Sequence, residues 1–380
     1  MNIVAVKETV AGEKRVPITP QTAGRLARLG AQVAVESGLG APLHIADSAY
    51  EAAGAKVGTR DELLASADLL LTVQPPALDV VARLRPGTVT AGFVDPFFNH
   101  ELVKALAQAR VSSLCVELIP RTTYAQKMDA LSSQASLAGY AAVVVAARHS
   151  HKAFPMMSTP AGTISPARVF VVGAGVAGLQ AIATAKRLGA RVEAYDTRPV
   201  VKEQVQSLGA KFVELDVGET GQTEQGYAKE LTPEQLERQR QQMAAVCATA
   251  DVIITTAQVF GRRAPQIITE AMVAGMKPGS VIVDLAASTG GNVAGSRSGE
   301  AVVTPNGVTI LGFSDLPSSV ALDASQMYAN NLYNLIEHAW DAEAKDLKLG
   351  EPDEIVGGCL LTHEGVVRDQ RVKAALEAKA

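Results

Sequence analysis

Four apolar residues, Val169, Phe170, Val171 and Val172, run straight into Gly173-Ala174-Gly175-Val176-Ala177-Gly178. Such a run reads as a strand buried on both faces. A helical pattern follows through Leu179, Ile182, Ala183 and Ala185 and closes at Leu188-Gly189. A second strand, Arg191 to Tyr195, ends at Asp196. A bare glycine pattern is a weak signal. Strand, G-x-G-x-x-G, helix, second strand and terminal acid together specify a dinucleotide-binding unit. Gly173 permits the tight turn, Gly175 lets a pyrophosphate approach the backbone, and Gly178 lets helix and sheet pack closely. The helix start offers N–H groups and a partial positive charge to the phosphates. Asp196 stands where an acid accepts hydrogen bonds from the adenosine ribose. A carboxylate there repels a 2′-phosphate and so favours NAD(H) over NADP(H). Arg198 reads as a pyrophosphate or adenosine contact.

The rest of the chain narrows the class. A length of 380 residues suggests two or three domains. Hydrophobic residues make up 47% and charged residues 19%, which suits ordinary cores and excludes disorder. The net charge of −4, with no basic block, gives no sign of a nucleic-acid partner. Cys115, Cys247 and Cys359 form no C-x-x-C, so zinc and redox motifs are excluded and a reducing compartment is expected. There is no H-E-x-x-H, G-x-x-x-x-G-K-[ST] or G-x-S-x-G. His149 and His151 read as solvated residues at a helix end rather than metal ligands. Met1 to Glu8 reads as a first strand, not a signal peptide. The longest apolar stretch, Ala138 to Ala147, is too short to span a bilayer and is stopped by Arg148, so a soluble chain is expected.

Before the glycine turn, strand patterns at 2–6, 32–36, 69–73, 88–93 and 111–116 alternate with helical ones. This alternation predicts a parallel α/β domain of its own. One helical pattern from Ala125 to about Ser150 joins it to the next domain, and Ala161 to Pro166 reads as a linker. Further strands are expected at 211–215, 251–255, 280–285 and 308–312. The segment from Val217 to Glu230 holds Gly218, Gly221, Gly226 and Tyr227, and is long for an α/β connection, so it reads as a lid or binding segment. From Ser325 a helix crosses back to the first domain, and the tail beyond Asp341 reads as a short helical or hairpin addition. The expected fold is two Rossmann-like α/β domains with parallel sheets and a cleft between them. Residues 1–125 with 320–380 form the first, and 126–319 the NAD(H)-binding domain with its joining helix.

A polar cluster lies at the start of the joining helix: Arg121, Gln126, Lys127, Met128, Asp129, Ser132, Ser133 and Gln134. Helical spacing puts Gln126, Asp129 and Ser133 on one face. That face is either a solvated helix start or a set that orients a nicotinamide carboxamide, which has one acceptor and two donors.

Arg121 to Ser133, the run Gly173 to Ala190, and Gly226-Tyr227-Ala228-Lys229-Glu230 together resemble the NAD(H)-binding component, domain I, of proton-translocating nicotinamide nucleotide transhydrogenase. The resemblance covers nearly the whole chain. It is closest to the bacterial arrangement in which this component is a separate polypeptide. It implies direct hydride transfer between NAD(H) here and NADP(H) on a partner, domain III, while membrane domain II conducts protons. It also implies a homodimer held peripherally at the cytoplasmic face of the inner membrane by its partners. Carried over, Arg121, Asp129 and Ser132 hold the nicotinamide end, with Lys127 and Met128 beside them. Gln126 sits where the two nicotinamides meet. Gly173, Gly175, Val176 and Gly178 line the pyrophosphate, Asp196 the ribose, and Thr197 and Arg198 the neighbouring phosphates. Gly226 and Tyr227 lie on a mobile loop that closes over NAD(H), and Gln239 is a further nucleotide contact. Gln258 is expected on the adenine side, although many relatives have Leu there.

Alanine dehydrogenase shares this expected two-domain fold and resembles the chain at Lys7-Glu8, Gly12-Glu13 and Arg15-Val16. Its substrate site needs an Arg, a Lys, a His and an Asp. Here Arg15 remains, but Gln74-Pro75-Pro76 replaces the Lys segment, Phe93-Val94-Asp95 lies where the His would, and Ser288 where the Asp would. Without that cation and acid–base group, pyruvate is neither oriented nor protonated. Arg15 then reads as a salt-bridge or turn residue.

Overall fold

The computed structural model describes residues 1–215, 232–313, 315–350 and 352–378. They form two compact units, residues 1–134 with 318–380, and residues 135–317. The sequence pattern puts the joints at 125/126 and 319/320. In the structure Gln134 stays with the first unit because its Nε2 donates to the Ala324 carbonyl at 3.1 Å and its Oε1 accepts from Arg15 at 2.9 Å.

The first unit is built on an eight-stranded sheet. Its order is Val366–Val367, Leu360–His363, Ser112–Cys115, Val89–Gly92, Leu69–Leu71, Asn2–Ala5, Gln32–Glu36, Lys56–Gly58. The six strands before the joining helix are mutually parallel. Numbered along the chain they read 3-2-1-4-5-6, the doubly wound order. The tail does more than add a hairpin: two of its strands extend this sheet antiparallel, beyond Ser112–Cys115. Helix starts follow local chemistry. At Pro20–Arg28, Thr19 is the N-cap, its hydroxyl accepts from the Thr22 N–H, and Pro20 opens the first turn.

The second unit has a seven-stranded sheet ordered Lys211–Phe212, Arg191–Tyr195, Arg168–Val172, Val252–Thr255, Val281–Asp284, Thr309–Leu311, Ala301–Val303. Its parallel strands also read 3-2-1-4-5-6, and only Ala301–Val303, which the pattern did not predict, pairs antiparallel. Both faces are covered. Val169, Val171, Val252 and Ile254 pack with Ile182 and Ala185, whereas Phe170, Val172 and Ile253 pack with Met243 and Cys247. Side chains alternate across a strand, so the unbroken apolar run serves two cores at once.

Three local expectations are corrected. The joining segment is not one helix: Tyr124–Met128 is a 3-10 turn and the helix is Ala130–His149. Asp129, extended at ψ 88°, interrupts the pattern and caps the long helix by accepting from the Ser132 N–H at 2.9 Å. Gln126, Asp129 and Ser133 therefore do not share one helix face. The expected linker at Ala161 is the turn of an exposed hairpin, Met157–Thr159 with Gly162–Ile164. Finally, Ala130–His149 is long and apolar enough, by length and composition, to cross a membrane. The apolar-run criterion misses this because polar residues supply the helix's first turn. Its Ala141, Ala142, Val143 and Ala146 are buried in the second unit's core, and a core helix passes the same test.

Candidate functional site

In the second unit the strand Arg168–Val172 ends at Gly173, whose φ of +94° belongs to the left-handed region glycine tolerates. A Cβ there would also meet Thr256 Oγ1 at 2.6 Å. The helix Val176–Arg187 starts at Gly175 with no side-chain cap. Its first N–H groups are therefore left for a ligand or water. A Cβ on Gly178 would collide with the Gly173 carbonyl oxygen, so that glycine is required by the turn itself. Gly175 differs: its backbone is extended, and an added Cβ meets no described atom within 4 Å. Nothing described in the chain demands glycine there. A pyrophosphate approaching the uncapped helix start does, so these residues fit a dinucleotide.

Asp196, 9% exposed, closes the second strand. Its Oδ2 accepts from the Ala174 N–H at 2.7 Å, which ties the acid to the glycine turn. Arg198 pairs with it, Nη2 to Oδ2 at 2.9 Å. The carboxylate's hydrogen bonds and charge raise the Arg198 pKa further. Thr197 lies half-buried between them, and Val176 stands 45% exposed at the helix start. Gln239 is buried and donates to the Tyr195 hydroxyl at 3.0 Å, under the same strand end.

Sequence reasoning missed the floor of this turn. Thr256 Oγ1 donates to the Gly173 carbonyl at 3.1 Å. Ala257 is clamped by buried Asn292, which accepts from its N–H at 3.0 Å and donates to its carbonyl at 2.8 Å. Asp284 in turn holds the Asn292 N–H at 3.0 Å. The available signal was topological: Thr256 follows the strand next to the glycine strand, where the strand order reverses. Gln258 donates to the Leu285 carbonyl at 3.0 Å and lines a recess with Ala138, Ala177, Thr256 and Phe313.

The polar cluster belongs to the first unit, apart from the glycine turn's own unit. Arg121, Gln126 and Lys127 are exposed, whereas Met128 is buried. Asp129 Oδ2 accepts from the Ser132 hydroxyl at 2.6 Å. Ser133 Oγ donates to Asn331 at 2.7 Å. The Lys127 ammonium lies 5.5 Å from the Tyr124 ring centroid. Gly226 and Tyr227 lie outside the described residues.

The same unit shows what became of the alanine dehydrogenase positions. Arg15, 8% exposed, binds Glu13 through Nε at 2.8 Å and Nη2 at 2.6 Å, and Gln134 through Nη1. Gln74 Nε2 donates to Glu13 at 2.6 Å. Phe93 stacks on Tyr328 with centroids 5.4 Å apart. Among the described residues no cluster of His, Cys, Asp and Glu could hold a metal ion.

Comparison with known proteins agrees with this geometry. Residues 4–138 match the family description "Alanine dehydrogenase/PNT, N-terminal domain", and residues 142–370 match "Alanine dehydrogenase/PNT, C-terminal domain". The chain is 43% identical to the first portion of the NAD(P) transhydrogenase alpha subunit of Rickettsia prowazekii, a separate chain there, over 100% of this chain and 99% of that protein. It is 45% identical to the Rhodospirillum rubrum protein of the same name, over 97% of each. The crystal structure of transhydrogenase from Sinorhizobium meliloti matches with a TM-score of 0.85 and 40% identity, covering 98% of this chain and 100% of that one. Alanine dehydrogenase of Mycobacterium tuberculosis is more distant, at 28% identity. The chain belongs to the alanine dehydrogenase/PNT family, and within it lies nearer to the transhydrogenase alpha subunits than to alanine dehydrogenase.

Proposed function

We propose that this chain is the NAD(H)-binding component of a proton-translocating NAD(P) transhydrogenase. The observation that carries the reading is Gly175: an uncapped helix start faces it and its missing Cβ has no described neighbour within 4 Å. The backbone N–H groups there receive the pyrophosphate. Asp196 orients the adenosine ribose, with Thr197, Arg198 and Gln239 around it and Gln258 on the adenine side. Arg121, Asp129 and Ser132, with Lys127 and Met128, hold the nicotinamide end. Gln126 meets the second nucleotide, and Gly226 and Tyr227 close over the first. The nicotinamide ring supplies the hydride chemistry. The chain's residues contribute position rather than proton transfer, since direct transfer needs near-attack geometry more than an acid or base.

An NADP(H)-binding partner component accepts or returns the hydride, and a membrane component couples transfer to protons. This chain is then peripheral to the membrane, as one half of a homodimer. Mixing it with an NADP(H)-binding component and following transfer between NADH and an NADP analogue tests the reading. Transfer that requires both proteins is expected. Absence of transfer, together with no NADH binding by calorimetry, would remove it.

A further inference from the structure

The Asp196 carboxylate accepts four hydrogen bonds. Oδ1 accepts from the Arg198 backbone N–H at 2.8 Å and from Arg198 Nε at 2.9 Å. Oδ2 accepts from the Ala174 N–H at 2.7 Å and from Arg198 Nη2 at 2.9 Å. An ionised carboxylate offers about four lone-pair sites, so these bonds fill it. They are of two kinds. The Ala174 and Arg198 backbone N–H groups are fixed by the turn and the strand end. The other two donors sit on one guanidinium, which can leave by rotating its own side chain. A ribose brings two adjacent hydroxyls, and this carboxylate can bind both only if two donors give way. Two N–H groups on a rigid fork now stand where the two O–H groups of a cis-diol would be held.

We propose that the Arg198 guanidinium is an intramolecular stand-in for the adenosine ribose, and that nucleotide binding exchanges the fork for the diol. This rests on the NAD(H) reading above. Without nucleotide, the fork neutralises a carboxylate whose side chain is only 6% exposed, while Arg198 is 16% exposed. An unpaired charge at that depth would be unfavourable. On binding, the diol satisfies the carboxylate and the freed cation turns toward the pyrophosphate, so neither charge is stranded. A 2′-phosphate brings negative charge to Asp196 and no donor at that oxygen when fully ionised. It therefore cannot complete the exchange, and rejection of NADP(H) is a failed exchange as well as a repulsion.

Adenosine carries the diol and no phosphate, so it separates the two parts of the exchange. Arg198→Met keeps the aliphatic stem and removes the donors. Binding of adenosine, 2′-deoxyadenosine and NADH is measured by calorimetry or ligand-observed NMR for the unmodified protein, Arg198→Met and Arg198→Lys. With the internal competitor gone, adenosine should bind Arg198→Met about fivefold tighter. 2′-Deoxyadenosine, with one hydroxyl of the pair, should gain less, and NADH should bind more weakly because the cation near its phosphates is lost. Arg198→Lys keeps a charge without the fork and should lie between for adenosine. It carries the test if thermal melting shows Arg198→Met unfolded. An unchanged or weaker adenosine affinity in the folded variant overturns the exchange and leaves the NAD(H) reading standing. If the unmodified protein binds neither adenosine nor NADH, both fall.

Discussion

Glu8 and Glu13 are carboxylates at one edge of the first unit, and their surroundings push them in opposite directions. Burial raises Glu8 to about 7, against the N–H groups of Val73 and Gln74 and with the Glu13 charge adding to the rise. Burial also pushes Glu13 up, but the hydrogen bonds and charge of Arg15, with Ser318 and Gln74, more than offset it and hold Glu13 at about 2. Glu13 therefore contributes stability above the ordinary carboxylate range that is lost as pH falls toward 2. Glu8 acts the other way. Below about 4.5 it is protonated folded and unfolded. Between 4.5 and 7 only the unfolded chain ionises, so stability falls as pH rises, and above 7 the whole cost is present. Glu8→Gln is neutral throughout. Its melting temperature relative to the parent should rise from pH 4.5 to 7 and then level off, by roughly 2–4 °C for each kcal/mol recovered. A difference that stays flat with pH would mean Glu8 is not buried as described. Asp196 makes a second case at this scale. Asp196→Ala should weaken NADH binding about tenfold, or about 1.4 kcal/mol, and narrow the gap to NADPH. Equal affinities for the two nucleotides in the unmodified protein, by calorimetry, would sink that assignment.

The glycine turn separates two demands that the sequence pattern writes with one letter. Gly178 lacks a Cβ because the turn's own carbonyl occupies the space, whereas Gly175 lacks one although the space is open. Gly178→Ala should lower stability by about 1–3 kcal/mol, with binding lost as a consequence. Gly175→Ala should melt like the parent yet bind NADH about tenfold more weakly. Parallel loss of stability in both variants would make the open space irrelevant. A third glycine, Gly139 of the long helix, meets the Ala177 carbonyl where a Cβ would be. That close approach packs the long helix against the first turn of the nucleotide helix, within the second unit. The elements legible beforehand were those with short-range causes: the glycine strand, the Thr19-Pro20 and Thr232-Pro233 helix starts, and the glycine stop at Gly30. The break at Asp129 was not legible, because an Asp inside a helical pattern costs little by propensity and its capping bond shows only in three dimensions. The hairpin at 157–164 was missed for a similar reason: its residues are all exposed, so no alternation marks it. The clamp of Asn292 on Ala257 joins positions 35 residues apart and leaves no local trace.

At the scale of the whole molecule, the two units share one strand order, and each therefore has a reversal point where a doubly wound sheet binds ligands. Their chemistry differs. In the second unit the point lies between Arg168–Val172 and Val252–Thr255 and presents an uncapped helix start beside a glycine with open space. In the first it lies between Asn2–Ala5 and Leu69–Leu71, and the side chains just beyond these strands bind one another. Glu8 takes the Val73 N–H at 2.6 Å, and Glu13 takes both Arg15 and Gln74. Oxidising alanine would need a cation for the substrate carboxylate and a group to move its amine and hydroxyl protons. Here the buried guanidinium is bound to a carboxylate held ionised by that pairing, position 74 is an uncharged amide, and Phe93 is stacked on Tyr328. Alanine with NAD should therefore yield no NADH above the blank, although NADH itself binds. Gln74→Lys alone should not create the activity. It restores one cation but leaves Arg15 on Glu13 and supplies no acid–base group, whose absence costs on the order of 10²–10⁴ in rate. Absorbance at the NADH band decides it: steady NADH formation from alanine by the unmodified chain would show that the first unit keeps a working substrate site, and would return the chain to the dehydrogenase side of its family.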